Sequence, residues 1–80
     1  MIPLFVQIKC QLGKSYEVAN ALADAEIASE IYSTAGEFDL LCKFYVAQGV
    51  DICHFINEKV QVIQGIQDTR TIITFKAFSN

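Results

Sequence analysis

Two seven-residue stretches, Leu4 to Cys10 and Leu40 to Val46, limit what this 80-residue chain can fold into. In the first, Leu4, Val6, Ile8 and Cys10 alternate with Phe5, Gln7 and Lys9; in the second, Leu40, Cys42, Phe44 and Val46 alternate with Leu41, Lys43 and Tyr45. A period of two sends neighbouring side chains to opposite faces of a strand, so each stretch has one wholly apolar face. The other face is mixed, with Phe5, Leu41 and Tyr45 set among Gln7, Lys9 and Lys43. A chain of this length builds a single hydrophobic core, so residues 1–80 are expected to form one domain.

The segments after each of these strands change period. Val18, Ala21, Leu22 and Ala25 recur at helical spacing, with Glu17, Asn20 and Asp24 opposite them. This predicts an amphipathic helix from about Lys14 or Ser15 to Ala25. A second helix is predicted over Val50 to Ile63, with Ile52, Phe55, Ile56, Val60 and Ile63 inward and Asp51, His54, Glu58 and Gln61 outward. Gly65 is placed to end it. Ala28 to Ala35 and Thr69 to Ala77 read as the remaining strands, and Gly36-Glu37-Phe38-Asp39 as a turn closing a hairpin. The order βαββαβ predicts an α+β, ferredoxin-like fold: a four-stranded antiparallel sheet with both helices on one face. The second face has no helix to cover Phe5, Leu41 and Tyr45, which makes those three residues the candidate dimer interface.

Composition points the same way. Hydrophobic residues make up 52% of the chain. A domain this small hides only about 60% of its unfolded surface, so some apolar area is left for a subunit interface. No apolar run approaches the ~20 residues that cross a bilayer, and Met1-Ile2-Pro3-Leu4 has no basic start, so no membrane partner and a cytoplasmic location are expected. With six Lys and Arg against nine Asp and Glu, and the basic residues scattered, there is no stripe for a phosphate backbone; direct nucleic-acid binding is not expected. Cys10, Cys42 and Cys53 have no C-x-x-C spacing and His54 has no partner histidine, so no metal and no cofactor are expected, and the thiols read as buried and reduced. His54 lies with Asp51 and Glu58 on a solvated helix face, and no nucleophile–base signature accompanies it. No residue is assigned a catalytic role, and the chain is read as a non-enzyme.

Five pieces, in order, carry a family resemblance. They are the opening strand with Gly13 before the first helix, Glu30-Ile31-Tyr32-Ser33, Gly36-Glu37-Phe38-Asp39, Phe55-Ile56-Asn57-Glu58-Lys59, and Gly65-Ile66-Gln67-Asp68-Thr69-Arg70-Thr71. Over nearly its full length the chain resembles the ligand-binding domain of the Lrp/AsnC transcriptional regulators. The resemblance implies dimers paired through their sheets as a dimeric αβ-barrel assembly, and larger homo-oligomers of those dimers. It also implies an amino-acid-type effector bound between subunits, with Gly36, Glu37 and Asp39 at the site. Thr69, Arg70 and Thr71 are candidates for the same pocket, Arg70 being the one arginine and a guanidinium being suited to carboxylates. Ala35 stands where the family often has Ser or Thr, and Gln64 where it often has Pro. Full-length members carry an N-terminal helix-turn-helix domain of roughly 50 residues or more, within ordinary domain sizes. Here Met1 opens directly on the first strand, which favours a natural stand-alone domain over a truncated one.

The function this predicts is a non-catalytic effector-binding and oligomerisation module, acting alone or in mixed oligomers with full-length relatives. A small dimeric enzyme of monooxygenase or isomerase type, and a purely structural oligomerisation domain, are the alternatives, because fold alone does not decide function.

Overall fold

The two alternating stretches pair with each other at the centre of the sheet. In a computed structural model that describes residues 1–79, β1 (Ile2–Cys10) lies antiparallel to β3 (Leu40–Val46), with Leu4 opposite Phe44 and Val6 opposite Cys42. β2 (Ala28–Ser33) flanks β3, and β4 (Ile66–Ile73) flanks β1, giving the antiparallel order β2-β3-β1-β4. The helices are α1 (Ser15–Asp24) and α2 (Ile52–Phe55), the latter continuing as a π-helical turn over Ile56–Val60. This is the predicted ferredoxin-like α+β architecture.

The inward row of the sheet (Leu4, Val6, Ile8, Leu40, Cys42, Phe44) packs against Val18 and Leu22 of α1 and Ile56 and Val60 of the π-turn, all buried. Phe55 meets Phe44 edge to face, ring centroids 5.7 Å apart. The outward row carries Phe5, Gln7, Leu41, Lys43, Tyr45, Arg70 and Ile72, as the registers require. There Lys43 Nζ lies 3.6 Å from the Glu30 carboxylate and over the rings of Tyr45 and Phe5.

Four expectations are corrected. β2 ends at Ser33, not Ala35, because the Thr34 N–H donates to Asp39 O (2.9 Å) and closes a loop over residues 34–39 in place of a four-residue turn. The second helix starts at Ile52, capped by the Asp51 carboxylate accepting from His54 N–H, and ends by Val60 through a π-turn closed by Gln61 N–H to Ile56 O (2.9 Å). Cys53 is exposed: inward positions 52, 55, 56 and 60 leave it on the outer side with His54.

The fourth correction is to β4, which runs Ile66–Ile73 and not Thr69 to Ala77. Gly65, at φ +99°, turns the chain into the strand three residues early, and its carbonyl accepts from Gln11 N–H at 2.7 Å. The same bond shows that odd-numbered β1 residues direct their amides toward β4, whereas Ile8 O and Cys10 N face the β3 side. Past the Leu4–Ile73 pair, the next β1 residue is Pro3. A proline nitrogen carries no hydrogen, so the ladder loses a donor and pairing stops there.

Among the described residues no helix is long and apolar enough to cross a membrane, and no cluster of His, Cys, Asp and Glu could hold a metal ion.

Candidate functional site

The loop at residues 34–39 is built to be rigid. Gly36 takes φ +105°, a conformation few L-residues adopt. Thr34 uses its N–H on Asp39 O and its hydroxyl on Phe38 O, both at 2.9 Å. Asp39 then anchors the loop to β1: its N–H donates to Ile8 O at 2.9 Å, and its Oδ2 accepts from Cys10 N–H at 2.7 Å. One oxygen of Asp39 is thereby committed to the fold.

Anchoring the loop turns the Phe38 ring inward until it is only 8% exposed. Arg70, opposite Gln7 in the β1–β4 ladder, lays its guanidinium over that ring, with Cζ 5.1 Å from the centroid. Its Nη2 is 3.9 Å from Glu37 Oε1, and both side chains are about two-thirds exposed (64% and 68%). So long and wet an ion pair holds little energy in itself, which leaves both groups available to other partners. Gln7, Thr34, Ala35 and Leu41 complete a cleft of about 370 Å³ around this pair.

Of the six expected ligand residues, Glu37 and Arg70 meet in this cleft, and Gly36 and Asp39 shape its loop. Thr69 and Thr71 do not join them within the subunit. The pleat sends them through the sheet to the helix side, where they line a separate cleft of about 370 Å³ with Ile52, Ile56, Asn57 and Gln61. There Gln61 Nε2 donates to Thr69 Oγ1 at 2.8 Å. Sequence reading did not place Gln7, Thr34 or Phe38 at the site. An apolar Phe38 inside a polar loop was the available signal; Gln7 becomes visible only once the β1–β4 register is known.

Burial, and then the Asp39 charge, raise the Cys10 thiol above its ordinary pKa, and burial pushes Cys42 to about 11. The Tyr32 hydroxyl donates to Glu30, which lowers the carboxyl and raises the phenol; Tyr32 is exposed and Glu30 half-buried. His54 Nε2 lies 3.0 Å from Glu58 on the outer face of the second helix, as a solvated i,i+4 pair.

The βαββαβ order and a cleft edged by the β2–β3 loop define a ferredoxin-like α+β domain with a small polar–aromatic site at the rim of its uncovered sheet face. The family profile of the Lrp/AsnC ligand binding domain matches residues 4–80, and the chain belongs to that family. The HTH-type transcriptional regulator FL11 of Pyrococcus furiosus is 32% identical over 72 residues, covering 90% of this chain and 47% of that protein. FL11 of Pyrococcus horikoshii is 31% identical with the same coverage. The chain thus spans about half the length of the curated relatives it matches. Among solved structures, FFRP-DM1 is 32% identical with a TM-score of 0.85, covering 94% of this chain and 100% of that one. The transcriptional regulator NMB0573 of Neisseria meningitidis, solved as a complex with L-Met, shares the fold at 16% identity and a TM-score of 0.85, covering 99% of this chain and 53% of that one.

Proposed function

We propose that this chain is a non-catalytic effector-binding and oligomerisation domain that takes an amino acid or a closely related metabolite at the β2–β3 loop cleft. The observation that carries the reading is the loose Arg70–Glu37 pair over Phe38. A guanidinium and a carboxylate side by side match the carboxylate and ammonium of a zwitterion. Gly36 gives the loop its turn, and Asp39, tied to Cys10 N–H, holds the loop against the cleft and adds negative charge near the ammonium. Ala35 and Leu41 supply an apolar wall. Membership of a ligand-binding family, and the L-Met complex of one structural neighbour, support an amino-acid-type ligand.

Leu41 belongs both to the cleft and to the uncovered sheet face, so a second subunit pairing through Phe5, Leu41 and Tyr45 lies against the site. Closing the cleft in this way excludes water and strengthens its polar contacts. In assemblies of such dimers, Thr69 and Thr71 are offered from the helix side to a neighbouring copy, and mixed oligomers with full-length relatives give the domain a regulatory route. An effector acts there only by binding one assembly state better than another.

A thermal-unfolding screen of the chain against the standard amino acids tests the reading. A ligand at a hundred times its dissociation constant stabilises the folded state by about 2.7 kcal/mol, a readily measured rise in midpoint. No rise with any of them favours the purely structural domain.

A further inference from the structure

The chain beyond β4 leaves the sheet while its sequence is still strand-like. Thr74-Phe75-Lys76-Ala77-Phe78 continues the aromatic and β-branched character of the strand, yet pairing ends at Ile73 because Pro3 offers no N–H. The two phenylalanines that follow are left almost wholly in water, Phe75 at 102% and Phe78 at 92% exposure. Thr74, Phe75, Lys76, Ala77 and Ser79 of this segment form one wall of a hollow of about 840 Å³ on the uncovered side of the sheet, and Pro3, Phe5, Lys43 and Tyr45 form the other.

We propose that residues 74–79 form an arm that clasps a second copy of this chain, seating Phe75 and Phe78 against Phe5, Tyr45 and Ile72 on the partner's uncovered sheet face. The proposal rests on the reading that these faces pair, and adds the arm as a part of the interface. Because the arm walls the hollow on its own subunit, a two-fold axis through the sheet face sets the two hollows against each other and brings each arm to its partner's face. Area favours the same occupant. A standard interface needs ~800 Å² from each partner. The sheet face supplies Phe5 and Leu41 already half-covered, and Tyr45 and Ile72 only 42% and 40% exposed. Two phenylalanines contribute ~150–250 Å² each, which brings a modest face up to the size a stable dimer requires.

Sedimentation equilibrium of the wild type and the Phe75→Ser/Phe78→Ser variant, with circular dichroism to confirm folding, tests the arm. The dissociation constant of the dimer is expected to rise about a hundredfold or more, four large side chains being lost from the contact. A folded variant with an unchanged constant overturns the arm while leaving sheet pairing intact. A monomeric wild type overturns both. Should the variant not fold, p-benzoylphenylalanine at position 78 gives a second route in mixed ¹⁵N-labelled and unlabelled protein. Photo-crosslinks between labelled and unlabelled chains, mapping near residues 3–5 or 45, are expected; crosslinks confined to single chains overturn the arm.

Discussion

The Cys10 backbone N–H donates to the Asp39 carboxylate across 2.7 Å, pinning the end of β1 to the loop that edges the cleft. Asp39 therefore holds the site in shape, whatever it also does to a ligand.

Two substitutions separate those roles. Asp39→Ala removes the acceptor and leaves the part-buried Cys10 N–H unpaired, a loss of about 1–3 kcal/mol in urea unfolding. Asp39→Asn keeps an acceptor oxygen and is expected to stay within about 1 kcal/mol of wild type while binding an amino-acid ligand more weakly, through the lost charge. Equal stability of the Ala variant and the wild type would contradict the anchoring role.

Glycine replacements should differ by position. Gly36→Ala adds a Cβ into open space, so only the strain at φ +105° is felt, roughly 1–3 kcal/mol. Gly65→Ala has similar strain at φ +99°, and its Cβ falls 2.9 Å from Val18 Cγ2 and 3.3 Å from Lys14 Cβ. Crowding of that kind adds about another 1–3 kcal/mol. Chemical denaturation should rank Gly65→Ala well below Gly36→Ala; the reverse order would contradict the close approach of α1 to the β4 entry.

The thiols divide by burial. Iodoacetamide at pH 8 should label exposed Cys53 alone in the folded protein, with Cys10 and Cys42 reacting only after unfolding. Cys42 also sets an alkaline limit. Its folded pKa of about 11 lies above the ordinary 9.0, so its contribution is fully present below pH 9 and is lost as pH rises toward 11. By linkage the loss is roughly 2–3 kcal/mol across that window. Cys42→Ala should flatten the decline; an identical slope in both proteins would contradict it.

The uncovered face gives a test of assembly. Phe5 is already half-covered, so Phe5→Ala removes about 1 kcal/mol of burial per subunit. With two copies per dimer, the dissociation constant should rise about thirtyfold in light scattering across a dilution series. A wild type that is monomeric at micromolar concentration would contradict the proposed dimer.

The strands at the centre of the fold were legible because β1 and β3 alternate strictly, and a one-residue slip would bury Lys43 in place of Cys42. The ends of β4 were not, since they depend on partners distant in sequence: Gln11 reaching Gly65, and Pro3 falling opposite position 74. The π-turn had no signal, because Ile56 and Val60 suit an α-helix equally well. At the site, the loop could be found from Gly36 and Asp39; within one subunit the pleat puts Thr69 and Thr71 on the face opposite Arg70, so only an assembly can bring all three to one pocket. The exposure of Cys53 follows from the helical stripe, against the general tendency of cysteines to be buried.

The central claim is that the Arg70–Glu37 pair receives an amino-acid zwitterion. Isothermal titration of the wild type, Arg70→Gln and Glu37→Gln with the standard amino acids tests it most directly. At least one amino acid should bind the wild type, and each variant should bind it tenfold or more weakly, a charge-assisted contact being worth about 1.5–3 kcal/mol. No heat from any amino acid, or equal affinities across the three proteins, would contradict the account.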